Sequence, residues 1–155
     1  MATITGTSGR DILRGTSLED VISGYGGNDT IIAWGSRDRI YGGAGNDDIE
    51  AGYGNDYVRG GPGHDDIEGD DGNDWLYGGG GADVFEFDED DGYDNIRDWQ
   101  DGQDRIDLDD FDLSLSQVLR AARQVGDNVK FYLEETTIVV HNADRADFSG
   151  ADFIL

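Results

Sequence analysis

The sequence predicts an all-β-dominated chain. A parallel β-roll (a β-solenoid) of nonapeptide repeats is expected over residues 1–87, and a small α+β C-terminal cap over residues 88–155. Three observations predict it. Glycine is abundant, at 25 of 155 residues, and it recurs periodically, which favours many tight turns over disorder. From Gly6 the chain divides every nine residues into GTSGRDILR, GTSLEDVIS, GYGGNDTII, AWGSRDRIY, GGAGNDDIE, AGYGNDYVR, GGPGHDDIE, GDDGNDWLY and GGGGADVFE. In every piece the sixth residue is Asp and the eighth is apolar, the mark of a repeat architecture.

The sixth positions are Asp11, Asp20, Asp29, Asp38, Asp47, Asp56, Asp65, Asp74 and Asp83. The eighth are Leu13, Ile22, Ile31, Ile40, Ile49, Val58, Ile67, Leu76 and Phe85, and Ile4 fits one step earlier. Positions one to four are Gly-rich, so six residues form a turn through backbone conformations that Gly adopts without clash. The remaining three form a short strand with its apolar centre facing in and two side chains facing out. Turn plus strand is half a coil, and two repeats close one coil. Residues one coil apart then stack about 4.8 Å apart along the axis. One edge stacks Asp11, Asp29, Asp47, Asp65 and Asp83; the other stacks Asp20, Asp38, Asp56 and Asp74.

Charge narrows the function. The net charge is -24, from 35 acidic against 11 basic residues. That balance excludes a nucleic-acid partner, whose phosphates need cations, and disfavours an anionic membrane surface. It also opposes compaction unless something positive offsets it. No Cys is present, which excludes disulfides and thiolate metal sites. No apolar run is long enough for a membrane span. Met1 to Gly15 lacks the basic and apolar regions of a secretory signal peptide.

Stacked carboxylates at this spacing call for a cation between them. Calcium accepts about six to eight oxygen ligands in a forgiving geometry, and the turns supply carbonyls beside the Asp oxygens. Each pair of stacked turns is thus expected to form a calcium cage that shares an Asp with its neighbour. The rows match the pattern G-G-x-G-x-D-x-U-x and resemble the RTX (repeats-in-toxin, hemolysin-type) calcium-binding repeats over Gly6 to Glu86. That resemblance extends to the C-terminal β-roll regions of bacterial proteins exported by type I secretion. It implies a roll that is largely unfolded without calcium. It also implies ligand roles for the nine Asp residues and for the turn glycines Gly24, Gly42, Gly60, Gly78, Gly27, Gly45, Gly54, Gly63, Gly72 and Gly81. Stacking gives four cages on one edge and three on the other, hence up to about seven Ca²⁺. The Asp29/Asp47, Asp47/Asp65, Asp65/Asp83 and Asp56/Asp74 cages are expected to fill best. Leu18 and Glu19 in one row, and Ala33, Ser36 and Arg37 in another, make the Asp20/Asp38 cage the weakest.

Beyond Phe87 the period breaks. Asp94-Asn95-Ile96 and Asp104-Arg105-Ile106 read as strands covering the end of the roll, since repeat arrays need caps. Asp94, Asp98 and Asp104 form a candidate for one more calcium, with a solvated acidic loop as the alternative. Ser114 to Gln124 reads as a helix opened by a Ser114/Gln117 capping box and ended at Gly126. Val129 to Leu133 and Thr136 to Val140 read as a hairpin around Glu134-Glu135. The final Asp152-Phe153-Ile154-Leu155 resembles the C-terminal signal of serralysin-type exported proteases; it also reads as a last strand. The resemblance thus implies a secreted, extracellular protein handled by the type I machinery.

No enzyme is expected. His64 and His141 are the only histidines, and neither an HExxH nor a G-x-S-x-G motif occurs. His64, at turn position five, is expected to face solvent. The strand positions facing outward give two chemically opposite faces. One reads Asp48, Glu50, Asp66 and Glu68; the other Arg39, Tyr41, Tyr57, Arg59, Trp75 and Tyr77. Aromatic rings interleaved with Arg suit an extended polysaccharide, an arrangement similar in architecture to the RTX-type modules of alginate epimerases. They equally suit burial under the C-terminal segment or a partner chain.

Overall fold

The computed structural model describes residues 1–155. In chain order its strands are β1 (Thr3–Thr5), β2 (Ile12–Arg14), β3 (Val21–Gly26), β4 (Thr30–Ile32), β5 (Arg39–Ala44), β6 (Asp48–Glu50), β7 (Tyr57–Pro62) and β8 (Asp66–Glu68). There follow β9 (Trp75–Gly80), β10 (Val84–Glu86), β11 (Tyr93–Ile96), β12 (Arg105–Asp107), helix α1 (Leu115–Ala121), β13 (Ala122–Val125), β14 (Asn128–Leu133), β15 (Thr136–His141) and β16 (Phe153–Ile154). From β1 to β12 successive strands alternate between two sheets. One runs β1-β3-β5-β7-β9-β11-β15-β14-β13 and the other β2-β4-β6-β8-β10-β12-β16. The chain is therefore a parallel β-solenoid, as the period requires.

The register is that of stacked coils. Ile4 pairs with Ile22, Ile22 with Ile40, Ile40 with Val58 and Val58 with Leu76. On the facing sheet Leu13, Ile31, Ile49, Ile67, Phe85 and Ile106 form the matching column. From Ile22 to Ile106 these inward residues are at most 1 % exposed, so the core is one apolar side chain per strand. The outward neighbours of the same strands are the charged and aromatic residues read from the sequence.

The strands of the two sheets differ in length. Strands β2, β4, β6, β8, β10 and β12 of the second sheet have three residues, as expected, but β3, β5, β7 and β9 have six. Parallel pairing continues into the Gly-rich turn, with Tyr25 on Gly43, Gly26 on Ala44, Gly61 on Gly79 and Pro62 on Gly80. Each of these pairs has a Gly on at least one side, which lets the backbones keep stacking after the apolar position has passed.

Both sheets run on past Phe87. β11 carries the first expected Asp-x-Ile unit and β12 follows directly on Asp104 of the second, and β14 and β15 form the expected hairpin. The helix is shorter than Ser114 to Gln124. Ser114 and Gln117 make the capping box, but α1 stops at Ala121, and Ala122–Val125 pairs antiparallel with β14. Gly126 (φ 63°) therefore turns one strand into the next instead of ending a helix. Ala122 to Val125 lie in register with Phe131 to Asn128, so their backbone groups are met by β14 instead of by a further helical turn. The terminal Phe153-Ile154 is the last strand of the second sheet. Phe148 stacks on Trp99 at 5.5 Å and meets Phe131 and Phe153 edge-on or tilted, closing the end of the thin core with aromatic bulk.

Candidate metal centre

Each stacked aspartate uses its two oxygens differently. Oδ1 accepts a hydrogen bond from the backbone N–H of the Asp one coil earlier. On one edge these bonds run Asp11 to Asp29 (2.8 Å), Asp29 to Asp47 (2.9 Å), Asp47 to Asp65 (2.9 Å) and Asp65 to Asp83 (3.0 Å). On the other they run Asp20 to Asp38 (2.7 Å), Asp38 to Asp56 (2.6 Å) and Asp56 to Asp74 (2.7 Å). Oδ2 has no such partner. It is buried and unpaired in Asp29, Asp38, Asp47, Asp56, Asp65, Asp74 and Asp83. An unpartnered buried carboxylate oxygen is costly, and a row of them demands a counter-charge.

The first rungs differ. Asp11 Oδ2 accepts from the Thr7 N–H (2.6 Å) and hydroxyl (2.9 Å), and Asp20 Oδ2 from those of Thr16 (2.7 and 2.8 Å). Those hydroxyls close the ends of both ladders, a role the sequence reading missed. Its signal was Thr in place of Gly at turn position two of the first two repeats only.

The turn glycines crowd around the open oxygens. A methyl group on Gly60 would collide with Asp65 Oδ2 and lie 2.8 Å from the Gly78 carbonyl oxygen; one on Gly42 would meet Asp47 Oδ2 and the Gly60 carbonyl. Gly24 stands in the same relation to Asp29 and the Gly42 carbonyl, and a methyl group on Gly78 would meet Asp83 Oδ2. Carboxylate and main-chain oxygens thus converge at turn position one. At position four, Gly27, Gly45, Gly54, Gly63, Gly72 and Gly81 each press against a peptide one coil earlier, leaving no room for a side chain. Gly45 also holds φ 128°, a conformation closed to ordinary side chains.

Electrostatics agree with the geometry. Burial, with the facing carboxylates adding to it, raises Asp38 to about 6 and Asp56 and Asp65 to about 7. Asp47, Asp74 and Asp83 are raised chiefly by burial too. Asp20 is the exception. Burial pushes it up, but hydrogen bonds from Ala2 and Thr16 outweigh that and leave it below its ordinary value. With no cation, these ladders favour protons.

No three Asp, Glu or His side chains meet at one point. The trio Asp94, Asp98 and Asp104 in particular does not converge. Asp94 joins the Asp20 edge and Asp104 the Asp11 edge, while Asp98 accepts from the Gly78 and Gly79 N–H groups (3.0 and 3.1 Å). Each strand lands on its own sheet, so alternate Asp residues separate by half a coil. The donor set is instead carboxylate plus carbonyl, all oxygen and all hard, which fits a calcium-like ion. His64 stays exposed; its Nδ1 accepts from the Ala82 N–H (2.9 Å). It continues a column of position-five side chains, Asn28 to Asn46 to His64, each capping the next coil's N–H.

Four overlapping copies of the RTX calcium-binding nonapeptide repeat match the chain, over residues 5–40, 14–49, 35–67 and 59–93. The chain belongs to the RTX calcium-binding repeat family. No curated protein matches it in sequence. Among solved structures, the chain is similar to the extracellular lipase LipA from Serratia marcescens. The identity is 14%, the TM-score 0.52, and the match covers 99% of this chain and 40% of the lipase. It is also similar to the AlgE6R3 subunit from the Azotobacter vinelandii mannuronan C5-epimerase, with 22% identity, TM-score 0.51, and 96% and 80% coverage. At these identities the likeness concerns the fold. The chain spans well under half the lipase, so the lipase's activity is not carried across.

The two outer faces of this RTX roll are as different as the sequence suggests. Asp48 and Asp66 lie in register, as do Glu50, Glu68 and Glu86. Burial, with Asp70 and Glu86 nearby, raises Glu68 to about 8. On the opposite face Tyr57 packs between Tyr41 (6.0 Å) and Tyr77 (5.2 Å), and the Arg97 guanidinium lies 5.0 Å from the Trp75 ring. The C-terminal segment extends this sheet edgewise and does not cover it, leaving Trp75 49% and Tyr41 38% exposed. No helix is long and apolar enough to cross a membrane.

Proposed function

We propose that the chain is a calcium-driven folding module. Ca²⁺ ions, up to about seven in the repeats, sit where the open Oδ2 atoms of Asp29, Asp38, Asp47, Asp56, Asp65, Asp74 and Asp83 meet turn carbonyls, while Asp11 and Asp20, satisfied by Thr7 and Thr16, close the ladders. The turn glycines Gly24, Gly42, Gly60 and Gly78, and Gly27, Gly45, Gly54, Gly63, Gly72 and Gly81, supply carbonyls or the space for them. The observation that carries this is the run of buried carboxylate oxygens with no hydrogen-bond partner. A bound ion supplies positive charge and nothing reactive; the chain's residues do no chemistry on a substrate. Without the ion, carboxylate repulsion and desolvation oppose the roll, and the thin core alone does not offset them. Residues 1–87 are the calcium-dependent unit and 88–155 its cap.

Secretion follows from the same switch. At low intracellular calcium the chain stays extended for a type I exporter, and it folds in calcium-rich surroundings outside. In the folded protein Asp152 and Phe153 are buried, so a terminal signal is legible only before folding. Removing the last four residues should abolish export from a cell carrying a type I system; undiminished export would end this part of the reading.

A second reading concerns the basic aromatic face. A groove of about 620 Å³ is lined by Arg37, Arg39, Tyr41, Tyr57 and Trp75 together with Asp56 and two Asn residues, and one of about 480 Å³ by Tyr25, Tyr41, Arg59 and Asp98 among others. In a chain of net charge -24, basic and aromatic side chains gathered on one sheet favour an anionic polysaccharide stacked on the rings. Replacing Tyr57 and Trp75 by Ala should abolish retention on a column of such a polysaccharide while leaving calcium-induced folding intact. Unchanged retention would sink it.

A further inference from the structure

The sequence period ends at Glu86, but the ladder does not. Asp94 is fully buried, and its Oδ1 accepts from the Asp74 N–H at 2.9 Å, as each repeat Asp does from the one before. Its Oδ2 is buried with no partner, the same state as the repeat oxygens and the only such case beyond the repeats among the ladder aspartates. The turn leading to it reproduces the repeat backbone. Asp90 (φ 78°) and Gly92 (φ 100°) are left-handed at the places that correspond to turn positions two and four. Gly54, Gly72 and Gly92 are bridged in a row, and a side chain on Gly92 would strike the Gly72 carbonyl. Two extra residues, absorbed before the turn, hide this half-coil from the nine-residue count: Asp74 and Asp94 are 20 apart, not 18.

The other edge ends differently. Asp104 also receives a ladder bond, from Asp83 (3.1 Å), but its Oδ2 accepts from the Gln100 N–H at 2.8 Å. Its carboxylate is satisfied by its own turn, as Asp11 and Asp20 are by Thr7 and Thr16. One edge is therefore closed after Asp83, and the other stays open for one more rung.

We propose that the Asp74/Asp94 step holds an additional divalent calcium-like cation at the junction of roll and cap, and that the Asp83/Asp104 step holds none. This rests on the calcium reading of the repeats. β11, which carries Asp94, pairs with β9 of the roll on one side and with β15 of the hairpin on the other, Asp94 facing Ile138. An ion there ties the hairpin to the roll, so that the cap orders with the calcium switch.

The test compares ion counts by native mass spectrometry of the full chain in excess calcium. D94N should carry one calcium fewer than wild type, and D104N the same number. In amide hydrogen exchange, D94N should lose calcium-dependent protection in β15 while β4 to β8 keep it. An unchanged count in folded D94N, or a lost ion in D104N, overturns the proposal. Should D94N fail to fold, the wild type decides. Its Asp94 carboxyl carbon resonance should shift on calcium addition, and a resonance indifferent to saturating calcium overturns the proposal. A wild type that binds no calcium at all would refute the repeat reading instead.

Discussion

The two edges of the roll carry the same aspartates on different turns. Along Asp29, Asp47, Asp65 and Asp83, position one is always Gly, and the parallel ladder runs on through the turns as the long ends of β3, β5, β7 and β9. Along Asp38, Asp56 and Asp74, position one is Ala33, Ala51 and Gly69, and the strand-type backbone pairing of the turns is confined to isolated bridges such as Gly35 to Tyr53. Ala33 and Ala51 are wholly buried, so their methyls occupy space that the other edge leaves to oxygens. The difference teaches that a ladder of carboxylates is a property of the strands, whereas the quality of each cage is a property of turn positions one to four. The first edge should bind tightly and set the fold; the second should bind more weakly and follow it.

The largest expected effect acts on both edges at once. Burial raises Asp56 and Asp65 from 3.8 to about 7 and Asp38 to about 6. A carboxyl whose folded value lies above its unfolded one contributes stability that is fully present below the unfolded value and is lost as pH rises through the folded one. In chelator, therefore, the folded fraction should grow as pH falls from about 7 toward 4, and apparent calcium affinity should fall over the same window as protons compete. Circular dichroism at several pH values checks it; a calcium-free chain that gains structure as pH rises would contradict it.

Single substitutions then separate the edges. D47A removes the Asp shared by two well-formed cages and should raise the calcium midpoint of folding by about tenfold, roughly 1.4 kcal/mol. D38A, on the weaker edge, should raise it less, and equal effects would erase the distinction. Gly42→Ala should cost about 1–3 kcal/mol through overpacking against Asp47 and Gly60. Ala33→Gly should do the reverse to calcium binding, lowering the midpoint, although it costs roughly 0.5–1 kcal/mol of chain entropy. Calcium titrations of both variants read the signs directly. The smallest effect belongs to the position-five column. Asn28→Ala and Asn55→Ala should each lose about 1 kcal/mol in the calcium-loaded form, measured by denaturant unfolding. On this column the edges should not differ, since Asn55 caps the Asn73 N–H as Asn28 caps that of Asn46.

What was legible in the sequence is what repeats. Asp at position six and an apolar residue at position eight placed the roll, its two sheets, its register and its two outer faces. The rest was hidden for specific reasons. The six-residue strands depend on how far Gly-rich backbones keep stacking, which alternation of apolar and polar residues does not encode. Ala122 to Val125 carries a helical pattern, yet pairing with β14 outweighs it. Asp94 was visible as an Asp-x-Ile unit, but the two inserted residues concealed its rung, and adjacency in sequence wrongly grouped it with Asp98 and Asp104. Thr7 and Thr16 look like imperfect repeats and turn out to close the ladders.

The central claim is that the open oxygens are calcium sites and that filling them folds the chain. Far-UV circular dichroism during a calcium titration, with magnesium as control, tests it most directly. A steep, cooperative gain of β-structure with calcium alone is the predicted result. A chain already folded in chelator at neutral pH, and indifferent to calcium, would contradict it.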